Sequence, residues 1–293
     1  MVEQLATKIG ISEANVRNIL SLLEGGATIP FIARYRKEQT GGATDEALRA
    51  FQQEYEYSRK LEARKEEVLR LIEERGHLTD SLRASIRKAD RLTVVEDLYR
   101  PFKEKRNTRA GVAIARGLEP LADILSSARP EAAEFRKIAA QYVTDDVPTV
   151  DDAVAGAQDI VAERYSDDAH ERELLRRVVW KNGELAVRKG KEFNPDGVYA
   201  RHADHSDRVL HIPSHRYLAI MRGVKEKELA VRLVLDTESV KKGIRQVWIT
   251  RGAGSSAELL AEALEDGLKR LLLPSIEREI HAQLKHRSDE QAI

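Results

Sequence analysis

The sequence predicts a mainly α-helical protein with long helices, a helix-turn-helix unit and one small β element. Three observations lead there. Helix-capping residues recur ahead of amphipathic runs along most of the chain; residues 44–75 contain neither glycine nor proline; and β-branched residues in partial alternation cluster only between about 183 and 250. At 293 residues, 42% of them apolar, the chain exceeds what one core usually fills. Three regions are expected: a helical region at 1–100 built on a long strut helix, a helix-turn-helix-like unit at 101–182, and a small β element at 183–293 followed by long C-terminal helices that pack back on the N-terminal region.

Ser12 precedes an apolar stripe of Val16, Ile19, Leu20 and Leu23, and Gly25-Gly26 supplies the stop, which predicts a short first helix. Thr44, with Asp45 and Glu46 in the first turn, opens the run that lasts to Gly76, a helix of roughly 48 Å. Its polar richness marks a solvated strut with one apolar stripe of Leu61, Val68, Leu71 and Ile72. Further starts are expected at Thr79, at Thr93 with Glu96 as a capping box, at Pro130 as a first helical residue, and at Thr149 ahead of Asp151 and Asp152. Turns at Gly117 and around Val147-Pro148 give residues 100–170 their helix-turn-helix pattern. "GELAVRKG" and "ELAVRLVLD" are expected strands, with "QVWIT" as a third. The tail is helical again, capped by Ser255 or Ser256 and divided or kinked at Pro274. It has no terminator, so the natural protein is expected to continue past Ile293.

Composition narrows the function classes. No cysteine is present, which excludes disulfides and thiolate metal sites and makes the cytoplasm the natural compartment. The N-terminus lacks a basic start followed by an apolar run, and roughly 18 consecutive apolar residues occur nowhere, so neither secretion nor a membrane partner is expected. Lys plus Arg and Asp plus Glu both total 49, which leaves no global field to attract a polyanion; any such binding must be local.

"GGATIPFIARYRKEQTGG", residues 25–42, sets glycine pairs around a basic and aromatic segment. A P-loop needs Gly-Lys-Ser/Thr leading into a helix, whereas here "ATIPF" follows Gly26 and Pro30 lacks an N–H. Pro30 is placed to open a short helix with Phe31, Ile32 and Tyr35 on one apolar side and Arg34, Arg36 and Lys37 outward, and "TGG" then turns the chain into the strut. The reading is a tight corner that docks an aromatic turn.

This segment, followed by "VEDLYRPFKEKRNTRAGVAIARGLEPLADIL", "IPSHRYLAIMRG" and "LLLPSIEREI" in that order, resembles the N-terminal region of the Tex-like family of bacterial transcription accessory proteins, over residues 1–293. The resemblance implies a helical front part with a helix-turn-helix unit, an architecture shared with a eukaryotic transcription elongation factor that chaperones histones. It also implies that an RNase H-like domain, helix-hairpin-helix repeats and an OB-fold nucleic-acid binder lie downstream. "RHADHSDRVLH" departs from the acidic and aromatic stretch usual before "IPSH".

The candidate contact with nucleic acid, RNA or DNA, is "RPFKEKRNTRAGVAIAR". Six basic residues, Arg100, Lys103, Lys105, Arg106, Arg109 and Arg116, oppose only Glu104, a local net charge of +5, and Thr108 is placed to cap the next helix. Lys103, Lys105, Arg106 and Arg109 are the expected phosphate contacts, giving weak binding without sequence preference; a solvated loop is the rival reading. His202, His205, His211 and His215 lie within fourteen residues beside Asp204 and Asp207, types that ligate zinc, yet their spacing sets no ligand geometry, so polar side chains facing solvent are the expectation and no metal or cofactor is assigned. His215 is expected as a cap or buried hydrogen bond, with an interface contact as the rival reading.

Catalysis finds little support. "ITRGAGSS" offers a lone Gly-x-Gly with no oriented nucleophile, and the pairs Asp145-Asp146, Asp151-Asp152 and Asp167-Asp168 sit where helices begin, which the helix dipole explains. The expected function is a non-catalytic scaffold and nucleic-acid-binding region of a Tex-like transcription accessory protein, with the transcription machinery as a further partner. The alternative is an accessory part of a nuclease-like enzyme whose RNase H-like active site lies downstream of residue 293.

Overall fold

The computed structural model describes residues 2–104, 107–127, 130–248 and 256–291, and it is mainly helical with one small antiparallel sheet. The chain divides into two compact units, residues 1–99 and 100–293.

The first unit consists of α1 (Val2–Ile9), α2 (Glu13–Glu24), α3 (Ile29–Tyr35), α4 (Asp45–Glu74), α5 (Asp80–Lys88) and α6 (Leu92–Tyr99). Local chemistry starts these helices as expected: Ser12, Thr44 and Thr79 each accept a backbone N–H three residues on, at 3.2, 3.1 and 3.2 Å. Each such cap stabilises its helix by about 1 kcal/mol. At the end of α2, Gly26 donates to Leu23 O and Ala27 to Leu22 O, the paired bonds that close a helix on a glycine. Leu5, Val16, Ile19, Ile32, Leu48 and Phe51 form the core between α1, α2, α3 and the front of α4.

The 30-residue α4 is about 45 Å long. Its buried stripe runs through Leu61, Val68, Leu69 and Ile72; the expected Leu71 is only half-buried, and Lys65 lies on the buried side instead. Lys65 is tolerated there because its ammonium reaches Glu62 at 2.8 Å and the Arg87 carbonyl in the last turn of α5 at 3.1 Å. The expected capping box at Thr93 does not form. Helix α6 begins one residue earlier, the Tyr57 hydroxyl accepts the Leu92 N–H at 3.1 Å, and Glu96 pairs with Arg64 at 2.6 Å.

The second unit opens with α7 (Arg109–Ala115), α8 (Glu119–Ser127), α9 (Ala132–Ala139), α10 (Val150–Asp167) and α11 (Ala169–Asn182). Pro130 stands two residues ahead of α9 rather than inside it, because Glu131 is the N-cap. Thr149 and Asp152 form the reciprocal capping box of α10. Then come β1 (Glu184–Lys189), β2 (His205–Arg208), α12 (Ser214–Lys225), β3 (Leu229–Val234), α13 (Thr237–Trp248), α14 (Ser256–Asp266) and α15 (Leu273–Glu290). The sheet order is β2-β1-β3, both pairs antiparallel, with Leu185 opposite Leu233 and Val187 opposite both Val231 and His205.

The third strand is therefore His205–Arg208, whereas Gln246, Val247 and Trp248 end α13. Asp236 decides this locally, since its carboxylate accepts the backbone N–H groups of Glu238 and Ser239 at 3.1 and 3.2 Å and so starts a helix. Ile249 and Thr250 lie outside the described residues, as does Ser255; Ser256 is the first helical residue of α14, not its cap. A π-helical segment, Gly267–Leu272, separates α14 from α15 immediately before Pro274, which cannot donate a backbone N–H to the preceding turn. Phe135, Ile160, Val179, Leu185, Leu264 and Ile280 belong to one continuous core that joins the helices of this unit to its sheet.

Candidate nucleic-acid interface

The basic segment leads into α7, where Thr108 caps the helix by accepting the Gly111 N–H at 2.9 Å. Its six basic residues do not share one fate. Arg100 is committed inward, its Nε donating to the buried Asp167 at 2.9 Å. Arg109 is 67% exposed, with Nη1 3.9 Å from Asp159 on α10. Arg109 and Arg116 line one hollow with Val112, Asp152 and Asp159. Asp159 is held above the usual carboxylate range by burial, against the pull of Arg270 and Arg109. The cationic edge of α7 thus stands next to an acidic one. Lys103 is described, whereas Lys105 and Arg106 lie outside the described residues.

Residues 116–118 connect α7 to α8, with Gly117 at φ +78° in the left-handed region that glycine adopts without strain. In a DNA-binding helix-turn-helix unit the second helix is the one that enters a groove. Here α8 carries Glu119 and Asp123, held by Arg164 of α10 at 2.8 and 2.5 Å.

The aromatic segment of the first unit departs from the expected docked turn. Ile29 and Ile32 are the buried residues of α3, and Phe31 and Tyr35 face solvent at 42% and 65% exposure. At about 100° per residue Phe31 and Tyr35 lie on one side of α3 and Ile29 and Ile32 on another, and the two isoleucines fill the core. The Phe31 and Tyr35 rings lie 5.1 Å apart at an interplanar angle of 45°, and the Arg36 guanidinium sits 5.6 Å from the Phe31 ring centre. Arg34 and Lys37 are exposed and make no ion pair among the described residues. The glycines and Pro30 signalled the corner; which of two apolar sides of the turn meets the core depended on the partners packed against it.

Two of the three acidic pairs are structurally engaged, whereas Asp145-Asp146 lies exposed in the turn closed by the Thr144–Val147 bridge and not at a helix start. Asp152 closes the α10 capping box, Asp151 pairs with Arg136, and Asp168 caps α11 by accepting the Glu171 N–H at 2.9 Å. Asp167 ends α10 rather than beginning a helix, and Arg100 holds it. Among the described residues no three or more His, Asp or Glu side chains are arranged to hold a metal ion. His215 is exposed in the first turn of α12, where Pro213 is the N-cap, so it neither caps the helix nor is buried. Gly252 and Gly254 of "ITRGAGSS" lie outside the described residues. Among the described residues no helix is long and apolar enough to cross a membrane.

The Tex-like protein N-terminal domain matches residues 1–73, and the Tex central region-like family matches residues 130–293. The chain belongs to the Tex-like protein family. It is 40% identical over 295 residues to the protein YdcI of Bacillus subtilis, covering 99% of this chain and 41% of that protein. To the transcriptional accessory protein Tex of Neisseria gonorrhoeae it is 41% identical over 232 residues, 78% of this chain and 30% of that one. To the human S1 RNA-binding domain-containing protein 1 it is 26% identical over 310 residues, 100% of this chain and 31% of that protein. The chain thus spans less than half the length of these relatives. The basic segment 100–116 falls between the two matched regions, while the Phe31–Tyr35 pair lies inside the first.

Proposed function

We propose that this chain is a non-catalytic scaffold of a transcription accessory protein and contacts single-stranded nucleic acid, RNA or DNA, weakly and without sequence preference. The observation that carries the reading is the exposed Phe31–Tyr35 pair, 5.1 Å apart and flanked by Arg34 and Lys37, cations with no ion pair among the described residues. Two rings in solvent beside cations form a platform on which unpaired bases stack while the cations meet phosphates. Segment 103–109 adds phosphate contacts in the second unit. A helix-turn-helix reading of α7 and α8 favours backbone contact over base readout, because the polar groups of α8 are acidic and already engaged by Arg164. The names of the relatives, a transcriptional accessory protein and a protein with an S1 RNA-binding domain, agree with this class of partner. The non-catalytic part of the reading is supported by the capping and ion-pair roles of Asp151, Asp152, Asp167 and Asp168. A cytoplasmic location goes with it.

Electrophoretic mobility shift with unrelated single-stranded RNA and DNA oligonucleotides at several salt concentrations tests the proposal. Phe31→Ala with Tyr35→Ala should weaken binding at least fivefold for every sequence and leave the salt dependence intact, since stacking is worth about 1–3 kcal/mol per base and releases no counterions. Unchanged affinity in the folded double variant, or no binding by the parent chain at low salt, would overturn it.

A further inference from the structure

Three segments of the second unit bring basic side chains to one solvent-open hollow of about 380 Å³: the 3-10 turn Ala200–His202 supplies Arg201 and His202, β2 supplies His205, and the first turn of α12 supplies His215 and Arg216. That volume is within the roughly 300–1,000 Å³ of small-ligand sites. Every lining residue is an arginine or a histidine.

The wiring leaves the hollow short of negative charge. Asp207, two residues along β2 and on the same face of the sheet as His205, takes Arg216 at 2.7 Å and lies 3.4 Å from His205 Nε2. The nearby Asp204 is paired with Lys189 at 3.4 Å. Arg201 has no carboxylate among the described residues and instead donates through Nε to His202 Nε2 at 3.3 Å. That bond needs a neutral imidazole, and His202 is indeed held below the usual histidine range, first by burial and then by Arg201, Arg216 and His205, with Asp207 opposing them. At the same edge α12 begins without a side-chain cap, since Pro213 is its N-cap, so the hollow adjoins uncapped backbone N–H groups.

With Arg216 paired to Asp207, the Arg201 guanidinium still leaves the hollow net positive and disfavours a metal cation, so these histidines are poor metal ligands despite their spacing. The same donors, converging from three segments, suit an anion with several acceptor oxygens, and the planar fork of arginine matches phosphate. We propose that the hollow formed by Arg201, His202, His205, His215 and Arg216 binds a phosphate group, carried either by a free phosphate compound or by a nucleic-acid backbone. The site does not depend on the aromatic platform of the first unit.

The test follows imidazole resonances by NMR in the full 293-residue chain during titration with inorganic phosphate, with pyrophosphate and with a short single-stranded oligonucleotide. Saturable shifts of His202, His205 and His215 are expected. Arg201→Ala should weaken the affinity at least tenfold without unfolding the protein, because Arg201 is exposed and Asp207 keeps Arg216. His215→Gln, a second exposed position, should weaken it as well. Pyrophosphate binding that the oligonucleotide does not displace assigns the site to free phosphate compounds; displacement assigns it to the backbone. The proposal is overturned if no anion produces saturable shifts, if both folded variants bind like the parent, or if stoichiometric zinc alone titrates these histidines.

Discussion

Arg176 on α11 donates to Glu279 on α15 through Nε at 3.0 Å and Nη2 at 2.8 Å, across 103 residues of chain. The fully buried Arg172, one turn earlier, donates to the same carboxylate, so one acid on α15 holds two guanidiniums of α11. Arg172 also reaches Ser166 O and Ser275 Oγ at 3.1 Å each. Glu279→Ala would remove the carboxylate that the buried Arg172 shares with Arg176. It should cost about 3 kcal/mol, the low end for a broken buried pair because Glu279 is 30% exposed. The denaturant midpoint should fall with the slope unchanged, and Glu279→Gln should cost less; a loss under about 1 kcal/mol for the alanine variant would contradict the clamp.

The corner after α3 rests on two left-handed glycines, Gly41 at φ +66° and Gly42 at φ +80°. Valine at either position should cost at least about 1–2 kcal/mol, since β-branching adds to the left-handed penalty. Gly41→Val should be the worse, because a Cβ there would meet Asn15 Nδ2 at 2.1 Å whereas at Gly42 nothing lies within 4 Å. Neither should change nucleic-acid affinity selectively. Melting temperatures equal to the parent for both variants would refute the argument.

What was legible in the sequence follows the range of the interaction. Ser12, Thr44 and Thr149 act on N–H groups three residues away, so their helices could be read from a short window. Thr93 looked equivalent, but the N–H at that helix start is taken by Tyr57, 35 residues back. The site shows the same division. The charge excess of residues 100–116 is written in the sequence, whereas Arg100 is withdrawn from it by Asp167, 67 residues on. The exposure of Phe31 and Tyr35 depends on Ile29 and Ile32 taking the core, which no local pattern fixes.

Two histidines are expected to make the second unit acid-sensitive. Burial holds His281 below its ordinary value of 6.5 against the pull of Glu277, and burial with the neighbouring cations Arg201 and Arg216 lowers His202. With folded-state values below the unfolded one, the unfolded chain binds protons more readily. The stability is fully present above the unfolded pKa, falls as pH drops through it, and is lost by the folded-state pKa. Melting temperature should therefore decline between about pH 7.5 and about pH 5.5, a range in which ordinary carboxylates stay largely ionised. His281→Gln should flatten the decline; an unchanged slope in that variant would remove His281 from the account.

The basic segment gives the prediction that separates phosphate contact from scaffold. Replacing Lys103, Lys105, Arg106 and Arg109 by alanine should lower affinity alike for unrelated oligonucleotides. It should also flatten the dependence of log affinity on log salt, by about 0.7 for each single-strand phosphate that is no longer neutralised. Arg109 is expected to contribute part of this, since it is 67% exposed and its nearest carboxylate, Asp159, stands 3.9 Å away, too far for a normal hydrogen bond. The aromatic double variant should instead bind more weakly at constant slope, so the two surfaces are distinguished by salt alone. If the quadruple variant stays folded and binds with the parent's affinity and slope, the segment is a solvated loop, and nucleic-acid binding by this chain rests on Phe31 and Tyr35.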